Sequence, residues 1–551
     1  MTGSRLSPVS ASGRRIITYD YVIIGAGSAG CAIAERLSAD PAVSVLLIEA
    51  GPSDNHPLIQ MPKGFPFMAM NPRYAWNFMT EPQPHRNFGS EMWPRGKMLG
   101  GSSSLNGMLY LRGHPGDYAR WAEAAESDVW SWRQVARCFR ELECHSLGES
   151  ELRGGSGPLA VTAGTVQSDL SEKMVAAGEQ LGLRRLEDFN GPEQEGIGFY
   201  AVNIKDGLRF SAAKAHLRRA RGRRNLTIRS ETLAERIVFE GTRAVGVVIR
   251  RGERSEVVRA GREVVVCTGT LLTPRLLMLS GVGDAGHLRD HGVAVVADNA
   301  HVGRHLRDHV GLRLGYRLQG AQGANASLRW PRLAGTIARY LLFRSGPLAT
   351  TGEVGAFVRA HPKATRPDGQ LMLSAMSQSA PRPGTYMGPV EKLPGLSAHA
   401  CVLDADSEGY IALASGDPAD SPRIQPNGLS TAHDRDTLLN LVRIVRRLVA
   451  QPALAPYIAH EAFPGPAINS DDEILDYANR TARNFNHAVG TCRLGSAATG
   501  AVDARLRVHG VAGLRVADCS IMPSLPAGNT NGPAQMVGWR AAELIREDAR
   551  G

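Results

Sequence analysis

A single histidine near the carboxyl end of the chain stands among small residues, in the segment NFNHAVGTCRLG (residues 484–495). Its imidazole titrates close to neutral pH, so His487 could accept or donate a proton during catalysis. The segment shows neither the apolar stripe of a helix nor the alternation of a strand. By itself a lone histidine is more often a structural residue than a catalytic one, so the rest of the sequence must decide its role.

The elements that could place a cofactor beside this histidine begin at the other end of the chain. The segment YDYVIIGAGSAGCAIAERLSADPAVSVLLIEAG (residues 19–51) has an apolar run, a stretch of small residues and a second apolar run. These patterns predict a buried strand over 19–24, a helix over 28–37 and a second, parallel strand over 44–48. Strand, tight turn and helix in this order are typical of a doubly wound α/β domain.

Three glycines of this segment have the spacing GxGxxG between the first strand and the helix. Gly25 permits the tight turn, Gly27 lets a pyrophosphate approach the backbone, and Gly30 lets the helix pack on the strand. The amino end of the helix stabilises the phosphate charge. Glu49, at the end of the second strand, can accept hydrogen bonds from an adenosine ribose. The segment therefore predicts a dinucleotide site.

Three further parts of the chain suit such a site. The cluster WPRGKMLGGSSSLNGMLYLRG (93–113) combines flexible backbone with N–H and hydroxyl donors, and it suits a loop around a ligand as well as an ordinary flexible loop. A predicted strand over 263–267 can rejoin the sheet that begins at residue 19, which makes the dinucleotide domain discontinuous. A predicted strand over 514–517 has Asp518 at its end. The less regular stretch 313–480 predicts an antiparallel sheet with helices.

Composition and charge limit the partners of the protein. The chain has 551 residues, 43% of them hydrophobic and 21% charged, with a net charge of +10. The densest basic run, HLRRARGRRNL (216–226), has no interleaved aromatic residue, so we interpret it as a solvated helix end and expect no nucleic-acid partner. The first residues lack the apolar core of a signal peptide, and no apolar stretch is long enough to span a bilayer. We expect a cytoplasmic protein.

The cysteines and histidines do not indicate a metal. The seven cysteines are scattered and include no CxxC pair, which argues against a disulfide framework and a zinc site and favours a reducing compartment. His305 and His309 have i, i+4 spacing, but no HExxH motif and no third ligand stand nearby. We therefore predict no metal.

These segments together resemble the glucose–methanol–choline (GMC) oxidoreductases, and the match is colinear from about Tyr19 to Ile545. The blocks that carry the resemblance are GKMLGGSSSLNGMLYLRG (96–113), GTLLTPRLLMLSGVG (269–283), VGRHLRDH (302–309) and SAAKAHL (211–217). The resemblance implies an α/β protein, α+β overall, with a discontinuous Rossmann-like FAD-binding domain and a substrate domain of antiparallel sheet and helices.

The predicted division of the chain follows from these blocks. Residues 1–18 are predicted to be a disordered extension. Residues 19–312 are assigned mostly to FAD binding and residues 313–480 mostly to substrate binding. Residues 481–551 are predicted to return to the FAD domain and to carry the catalytic residues.

The resemblance also implies that the cofactor is FAD, bound non-covalently. Some relatives attach the flavin through a histidine of the GGSS loop, and Leu105 stands at that position here, which excludes that link. The residues implied in binding, from the ADP half to the ribitol chain, are Gly25, Gly27, Gly30, Glu49, Ala234, Ser102, Asn106, Gly107 and Asp518.

The resemblance gives His487 a role. Relatives carry a histidine in a similar His–x–x–Gly–Thr–Cys block, over the flavin, where it takes the hydroxyl proton of an alcohol. A second residue, histidine or asparagine, comes from the turn before the last helix, and Asn531 matches it as the partner of the alcohol oxygen. The implied reaction passes a hydride from the alcohol carbon to flavin N5 and releases an aldehyde or ketone. Oxygen, a quinone or another carrier would then reoxidise the flavin.

Several alternatives stay open at this point. Asn486 and Ala488 replace the aromatic residue and the proline of many relatives, so the substrate cannot be carried over; primary alcohols, polyols and choline are candidates. Relatives also include a hydroxynitrile lyase and a light-driven decarboxylase, which keep FAD. The stretch 61–85 is either a lid over the site or an ordinary surface loop.

Overall fold

The computed structural model describes residues 17–87, 89–164, 168–379 and 387–550. The α-helices in these ranges are α1 (Ser28–Leu37), α2 (Pro57–Gln60), α3 (Phe65–Ala69), α4 (Pro115–Ala124), α5 (Trp132–Leu142), α6 (Asp169–Gln180), α7 (Leu272–Leu279), α8 (Ala285–Asp290), α9 (Arg332–Phe343), α10 (Ala432–Val449), α11 (Asp471–Thr481) and α12 (Asn531–Asp548). The predicted extension 1–18 lies almost entirely outside the described residues.

The strands of the first half of the chain are β1 (Thr18–Ile24), β2 (Val45–Ile48), β3 (Ala75–Met79), β4 (Met92–Gly96), β5 (Glu143–His145), β6 (Leu159–Val161), β7 (Arg185–Leu186), β8 (Gly196–Phe199), β9 (Ile204–Lys205), β10 (Leu208–Arg209), β11 (Leu226–Arg229), β12 (Leu233–Glu240), β13 (Arg243–Arg251) and β14 (Arg254–Val266). Those of the second half are β15 (Val282–Gly283), β16 (Ala297–Asp298), β17 (Val310–Leu318), β18 (Val354–Val358), β19 (Gly369–Ser374), β20 (Gly395–Val402), β21 (Tyr410–Ala412), β22 (Arg423–Gln425), β23 (Ile458–Phe463), β24 (Arg483–Asn484) and β25 (Leu514–Val516).

The first sheet joins segments from both ends of the chain. Its order is β11-β2-β1-β14-β13-β12, and β25 pairs with β14. In the parallel core, Ile24 of β1 lies opposite Ile48 of β2 and Val266 of β14, and Val266 in turn lies opposite Val516 of β25. These residues are almost fully buried, as expected of parallel strands covered on both faces. The prediction that the strand near 263–267 rejoins the first sheet is confirmed.

This topology brings the residues that follow the parallel strands to one edge of the sheet. Gly25 follows β1, Glu49 follows β2, Cys267 follows β14 and Ala517 with Asp518 follows β25. In open parallel sheets ligands bind outside the carboxyl ends of the strands. The fold therefore creates one site from four distant parts of the sequence.

The second sheet is mainly antiparallel, with the order β23-β17-β20-β19-β18-β8-β7 and with β24 paired to β17. Helix α10 packs against β17 and β20. The predicted boundary at 312/313 falls inside β17, and β7 and β8 come from the part assigned to FAD binding. The boundary differs because a strand interior has no change in composition that could mark it.

The sequence pattern predicts a last helix over residues 534–545. Helix α12 begins three residues earlier, at Asn531, because Asn531 and Gly532 are already part of its first turn. The segment 408–426, whose pattern predicts a strand of an antiparallel sheet followed by a turn, forms the two-stranded antiparallel ribbon β21–β22. Within the described ranges, no helix combines the length and the apolar character needed to cross a membrane.

Candidate active site

One cavity of about 800 Å³ is lined by residues of both sheets, at the edge where the parallel strands end. Gly30 is absent from its wall and lies behind it. The other predicted site residues all line it: Gly25, Gly27, Glu49, Ser102, Asn106, Gly107, Ala234, His487, Asp518 and Asn531.

The three glycines of the GxGxxG turn differ in what surrounds them. Gly25 has φ +98°, and a Cβ there would lie 2.5 Å from the carbonyl oxygen of Cys267. A Cβ on Gly30 would lie 2.0 Å from the carbonyl oxygen of Gly25, so α1 packs here without room for a side chain. At Gly27 the nearest atom to such a Cβ is 3.8 Å away. A Cβ on Gly27 would therefore fit without a clash, and the Gly27 backbone lines the cavity, as a backbone that must approach a ligand requires.

The second glycine cluster lies directly against the first turn. The Gly100 N–H donates to the Ala26 carbonyl at 2.7 Å. Gly101 has φ +51°, and a Cβ there would lie 2.8 Å from the Cα of Gly27. The two loops therefore form one continuous wall of backbone along the cavity.

Glu49 is held by backbone donors on both sides. One carboxylate oxygen accepts from the Ala26 N–H at 3.0 Å and the other from the Gly51 N–H at 2.9 Å. Burial raises the pKa of the Glu49 carboxyl to about 7. The Thr232 N–H donates to the Glu49 carbonyl at 2.9 Å, which places Ala234 on the adjacent part of the wall.

The segment that continues from the second loop is fixed along the cavity by its neighbours. The Ser102 hydroxyl accepts from the Gly96 N–H at 3.1 Å. The amide oxygen of Asn106 accepts from the Arg209 guanidinium at 2.7 Å. The Gly107 carbonyl accepts from the Thr351 hydroxyl at 2.7 Å. Leu105 also lines the cavity and is almost fully buried.

Asp518 ties the segment 269–283 to the carboxyl-terminal strand. Its carboxylate accepts from the Gly269 N–H at 2.8 Å, the Thr273 hydroxyl at 2.6 Å and the Ser520 N–H at 2.8 Å. These bonds order the wall of the cavity at the end of β25.

His487 is held at both ring nitrogens and at its backbone. Its Nδ1 lies 2.9 Å from Nδ1 of His309, and its Nε2 lies 3.0 Å from the amide nitrogen of Asn529. Its backbone N–H donates to the Asp308 carboxylate at 2.8 Å. The preceding residue, Asn486, has φ +62° and accepts a hydrogen bond from Arg95. These hydrogen bonds hold the imidazole of His487 in one orientation in the wall of the cavity.

The amide beside His487 belongs to Asn529, and the pairing expected of Asn531 needs correction. The amide oxygen of Asn531 accepts from the Ser28 hydroxyl at 2.9 Å, and its amide nitrogen donates to Asn203 at 3.3 Å. Asn531 is the first residue of α12, so its side chain turns toward α1. Asn529 lies in the preceding turn and reaches the imidazole.

His309 is a site residue that the sequence reasoning missed. The segment 302–309 contains no helix, so His305 and His309 do not share a face. His305 contacts Glu408 at 3.1 Å, whereas His309 points to His487. The available signal was the position of His309 directly before β17, which places it at the start of a buried strand.

Burial sets the protonation of the two imidazoles. Burial lowers the pKa of His487 well below its ordinary value, with contributions from His309 and Arg95. Burial also lowers the pKa of His309 to about 4, although the Leu403 and Pro526 carbonyls favour its protonated form. Both rings are therefore neutral near pH 7, and His487 can accept a proton.

Several arginines line the cavity, among them Arg95, Arg313, Arg480 and Arg483. The guanidinium of Arg313 lies 4.9 Å from the ring centre of Phe463. Glu49 and Asp518 are the acidic residues among the described lining residues.

Comparison with known proteins gives a consistent result. The GMC oxidoreductase family models match residues 19–311 with their amino-terminal part and 405–538 with their carboxyl-terminal part. "Alcohol dehydrogenase [acceptor]" of Pseudomonas putida is 40% identical over 96% of this chain and 95% of its own length. "Oxygen-dependent choline dehydrogenase" of Brucella anthropi shows the same identity and coverage.

Among solved structures, pyridoxine 4-oxidase from Mesorbium loti superposes with a TM-score of 0.86 at 32% identity, covering 96% of this chain and 99% of its own. The chain therefore belongs to the GMC oxidoreductase family.

Proposed function

We propose that this protein is an FAD-dependent alcohol oxidoreductase in which His487 accepts the hydroxyl proton of the substrate. The observation that carries the proposal is the placement of His487 and Asn529 in the same cavity as the GxGxxG turn. The names of the relatives support the same class of reaction.

The residues of the cavity fit FAD. Gly27 leaves open backbone for a pyrophosphate, and Glu49 and Ala234 stand where an adenosine would lie. Leu105 offers no nucleophile for a covalent link, which supports non-covalent binding. When bound, FAD supplies the acceptor for a hydride from the alcohol carbon.

The hydrogen bonds around His487 support Nε2 as the nitrogen that acts as the base. The amide nitrogen of Asn529 can only donate, so Nε2 of His487 accepts and carries no proton. The neutral ring then carries its proton on Nδ1 and donates it to Nδ1 of His309. Nε2 is therefore the basic atom. An entering alcohol hydroxyl would replace the Asn529 N–H at the single lone pair of Nε2, and the released Asn529 amide can then hold the alcohol oxygen without titrating.

The orientation of Asn529 is supported by its other neighbour. The Gln370 amide nitrogen lies 3.4 Å from the Asn529 amide oxygen and donates to the Tyr200 hydroxyl at 2.8 Å. The Tyr200 hydroxyl in turn donates to the Leu371 carbonyl at 3.1 Å. This chain of donors leaves the Asn529 nitrogen facing His487.

The charges of the cavity favour a neutral alcohol over choline. A quaternary ammonium is bound by carboxylates or by the faces of aromatic rings. Beyond the nucleotide end, the described lining residues offer no carboxylate. Tyr477 and Phe485 offer aromatic rings there, but Arg313, Arg480 and Arg483 line the same cavity, and their like charge opposes a quaternary ammonium. We therefore propose a neutral aliphatic or aromatic alcohol as the substrate.

Anaerobic reduction of the bound flavin tests both parts of the proposal. The holoenzyme would be mixed with aliphatic, benzylic, polyol and choline substrates while the flavin absorbance is followed. Bleaching by neutral alcohols with little effect of choline is expected. Strongest bleaching by choline would contradict the substrate class alone, whereas no bleaching by any alcohol would contradict the function and favour a lyase or decarboxylase.

Readmission of air identifies the electron acceptor. Rapid return of colour indicates an oxidase, and slow return that a soluble quinone accelerates indicates a dehydrogenase. A cytoplasmic location and the domain division of the chain stay predictions.

A further inference from the structure

We propose that α9 and its surroundings dock on the face of a bilayer that contains anionic lipids. The α9 surface is defined here by its large exposed apolar residues. Trp330 and Leu341 are each 72% exposed, Leu342 is 74%, Phe343 is 73% and nearby Phe67 is 67%. These are the most exposed large apolar side chains among the described residues, and monomeric proteins seldom group such residues.

The outer face of α9 carries apolar residues beside its arginines. Thr336 and Tyr340 are buried against the protein, with Ile337 partly buried between them. On the outer side, Ala334 and Ala338 continue the line from Trp330 to Leu341. The outer face of an ordinary surface helix is polar. The large apolar residues on the outer face of α9 therefore indicate a partner with an apolar part.

The charges beside α9 indicate that the partner is anionic. Residues 320–352 contain four arginines and no lysine, aspartate or glutamate. Arg332, Arg339 and Arg344 are exposed on α9 and at its carboxyl end. Large apolar residues flanked by arginines bind the interface of an anionic bilayer, where the guanidinium groups meet phosphate and the apolar groups enter the acyl boundary.

A second copy of the chain fits this surface less well. A two-fold contact through α9 would bring the arginines of both copies together in a low-dielectric interface. The stretch offers no acidic side chain to neutralise them. Like charges at close range oppose association, whereas lipid headgroups of opposite charge favour it.

The α9 surface also adjoins the active-site cavity. Residues Pro347–Ala349, just after α9, contact residues Pro62–Gly64. Phe65 and Ala69 of α3 follow that contact and line the cavity, and Phe67 lies between them with its ring exposed. On a bilayer, this wall of the cavity would stand beside lipid, so an apolar alcohol or a lipid quinone could enter directly. This consequence rests on the proposed function.

Vesicle sedimentation of the holoenzyme tests the docking. Phosphatidylcholine vesicles with and without phosphatidylglycerol are compared at low and high salt. We expect binding that requires phosphatidylglycerol and weakens with salt. The variant L341S/L342S/F343S should bind at least about tenfold more weakly, and R332Q/R339Q/R344Q should lose roughly fivefold per arginine.

A matched control replaces three exposed apolar residues elsewhere, in L147S/L152S/V257S, and should bind as the unchanged protein does. Absence of sedimentation with phosphatidylglycerol vesicles, or equal binding of the L341S/L342S/F343S variant, overturns the proposal. A dimer in analytical ultracentrifugation that this variant dissociates would assign the surface to a second copy and also overturn it. The assay uses no substrate, so its result is independent of alcohol-driven flavin reduction, which all these variants should retain.

Discussion

The Nδ1 atoms of His309 and His487 lie 2.9 Å apart, with their ring planes at 84°. Two nitrogens at this distance share one proton, so the tautomer of one ring sets that of the other. Because Asn529 donates to Nε2 of His487, the shared proton belongs to His487 and His309 accepts it. We therefore propose that His309 is a positioning residue that keeps the basic lone pair of His487 on Nε2, the nitrogen beside Asn529.

Replacement of His309 should change how His487 titrates. Asparagine can accept through its amide oxygen, whereas leucine cannot. We expect flavin reduction to fall about ten- to a hundredfold in His309→Leu and less in His309→Asn. The acid limb of the pH profile, which should lie below pH 6.5 in the unchanged protein because the pKa of His487 is lowered, should move in His309→Leu. An identical profile in the two variants would assign His309 a packing role only.

Removal of the base should stop chemistry without releasing the cofactor. His487→Ala should retain FAD, since the residues around the GxGxxG turn are unchanged, and should reduce it about a hundred- to ten-thousandfold more slowly. Stopped-flow measurement of anaerobic flavin reduction provides the rate, and the absorbance spectrum provides the FAD content. The exposed His460, replaced by alanine, is the matched control. An unchanged rate of flavin reduction in the His487→Ala variant would contradict the proposed mechanism.

The two asparagines of the last turn should differ in effect. Asn529→Ala removes the donor to Nε2 of His487 and should lower the turnover number about tenfold or more. Asn531→Ala removes bonds to Ser28 and Asn203, so it should affect FAD affinity or stability more than turnover. Steady-state kinetics and FAD titration on both variants separate these effects. A larger loss of turnover in Asn531→Ala than in Asn529→Ala would support the role first expected of Asn531.

Substitution of two glycines in the nucleotide turn should have different effects, one on FAD affinity and the other on folding. Gly27→Ala places a Cβ into open cavity, so the protein should fold normally and lose FAD affinity. Gly25→Ala places a Cβ 2.5 Å from the Cys267 carbonyl oxygen at φ +98°, so it should lower the melting temperature of the apoprotein. Thermal unfolding and FAD titration check both. Normal FAD affinity in Gly27→Ala would contradict the assigned position of the pyrophosphate.

Stability should depend on pH through His309. Its pKa is about 4 in the folded protein and about 6.5 unfolded, so the folded state binds fewer protons between these values. The contribution of neutral His309 to the free energy of unfolding is fully present above pH 6.5 and declines as the pH falls toward 4. The pKa values of Glu49 and Asp308, raised to about 7, act in the opposite direction. The test therefore compares unfolding of the unchanged protein with that of His309→Leu from pH 7 to pH 5, and the variant should lose less stability.

Local patterns predicted those parts of the molecule that local physics determines. The GxGxxG turn, the strand at its start and the helix after it depend on residues close in sequence, and their predicted bounds differ from the structure by at most one residue. The return of β14 to this sheet could be predicted because an apolar strand must find a buried partner.

The remainder depends on contacts that sequence patterns do not contain. Asn529 and Asn531 are two residues apart and chemically identical, and the first turn of α12 decides which of them reaches His487. The pairing of His309 with His487 joins the start of β17 to a loop far along the chain. The boundary predicted at 312/313 lies within β17, where no local pattern marks a change of domain.

The pairing of β25 with β14 has a consequence for synthesis. Val264–Val266 leaves the ribosome when about half of the chain has been made, and Leu514–Val516 follows only near the end. Until then one side of the carboxyl end of β14 is an open edge of apolar residues, which favours pairing with other chains. The nucleotide turn is thus made first, whereas His487, the proposed proton acceptor, and Asn529 are made last. A chain that ends prematurely would contain the glycines of the nucleotide turn but would lack His487 and Asn529. Its strand β14 would also keep an exposed edge.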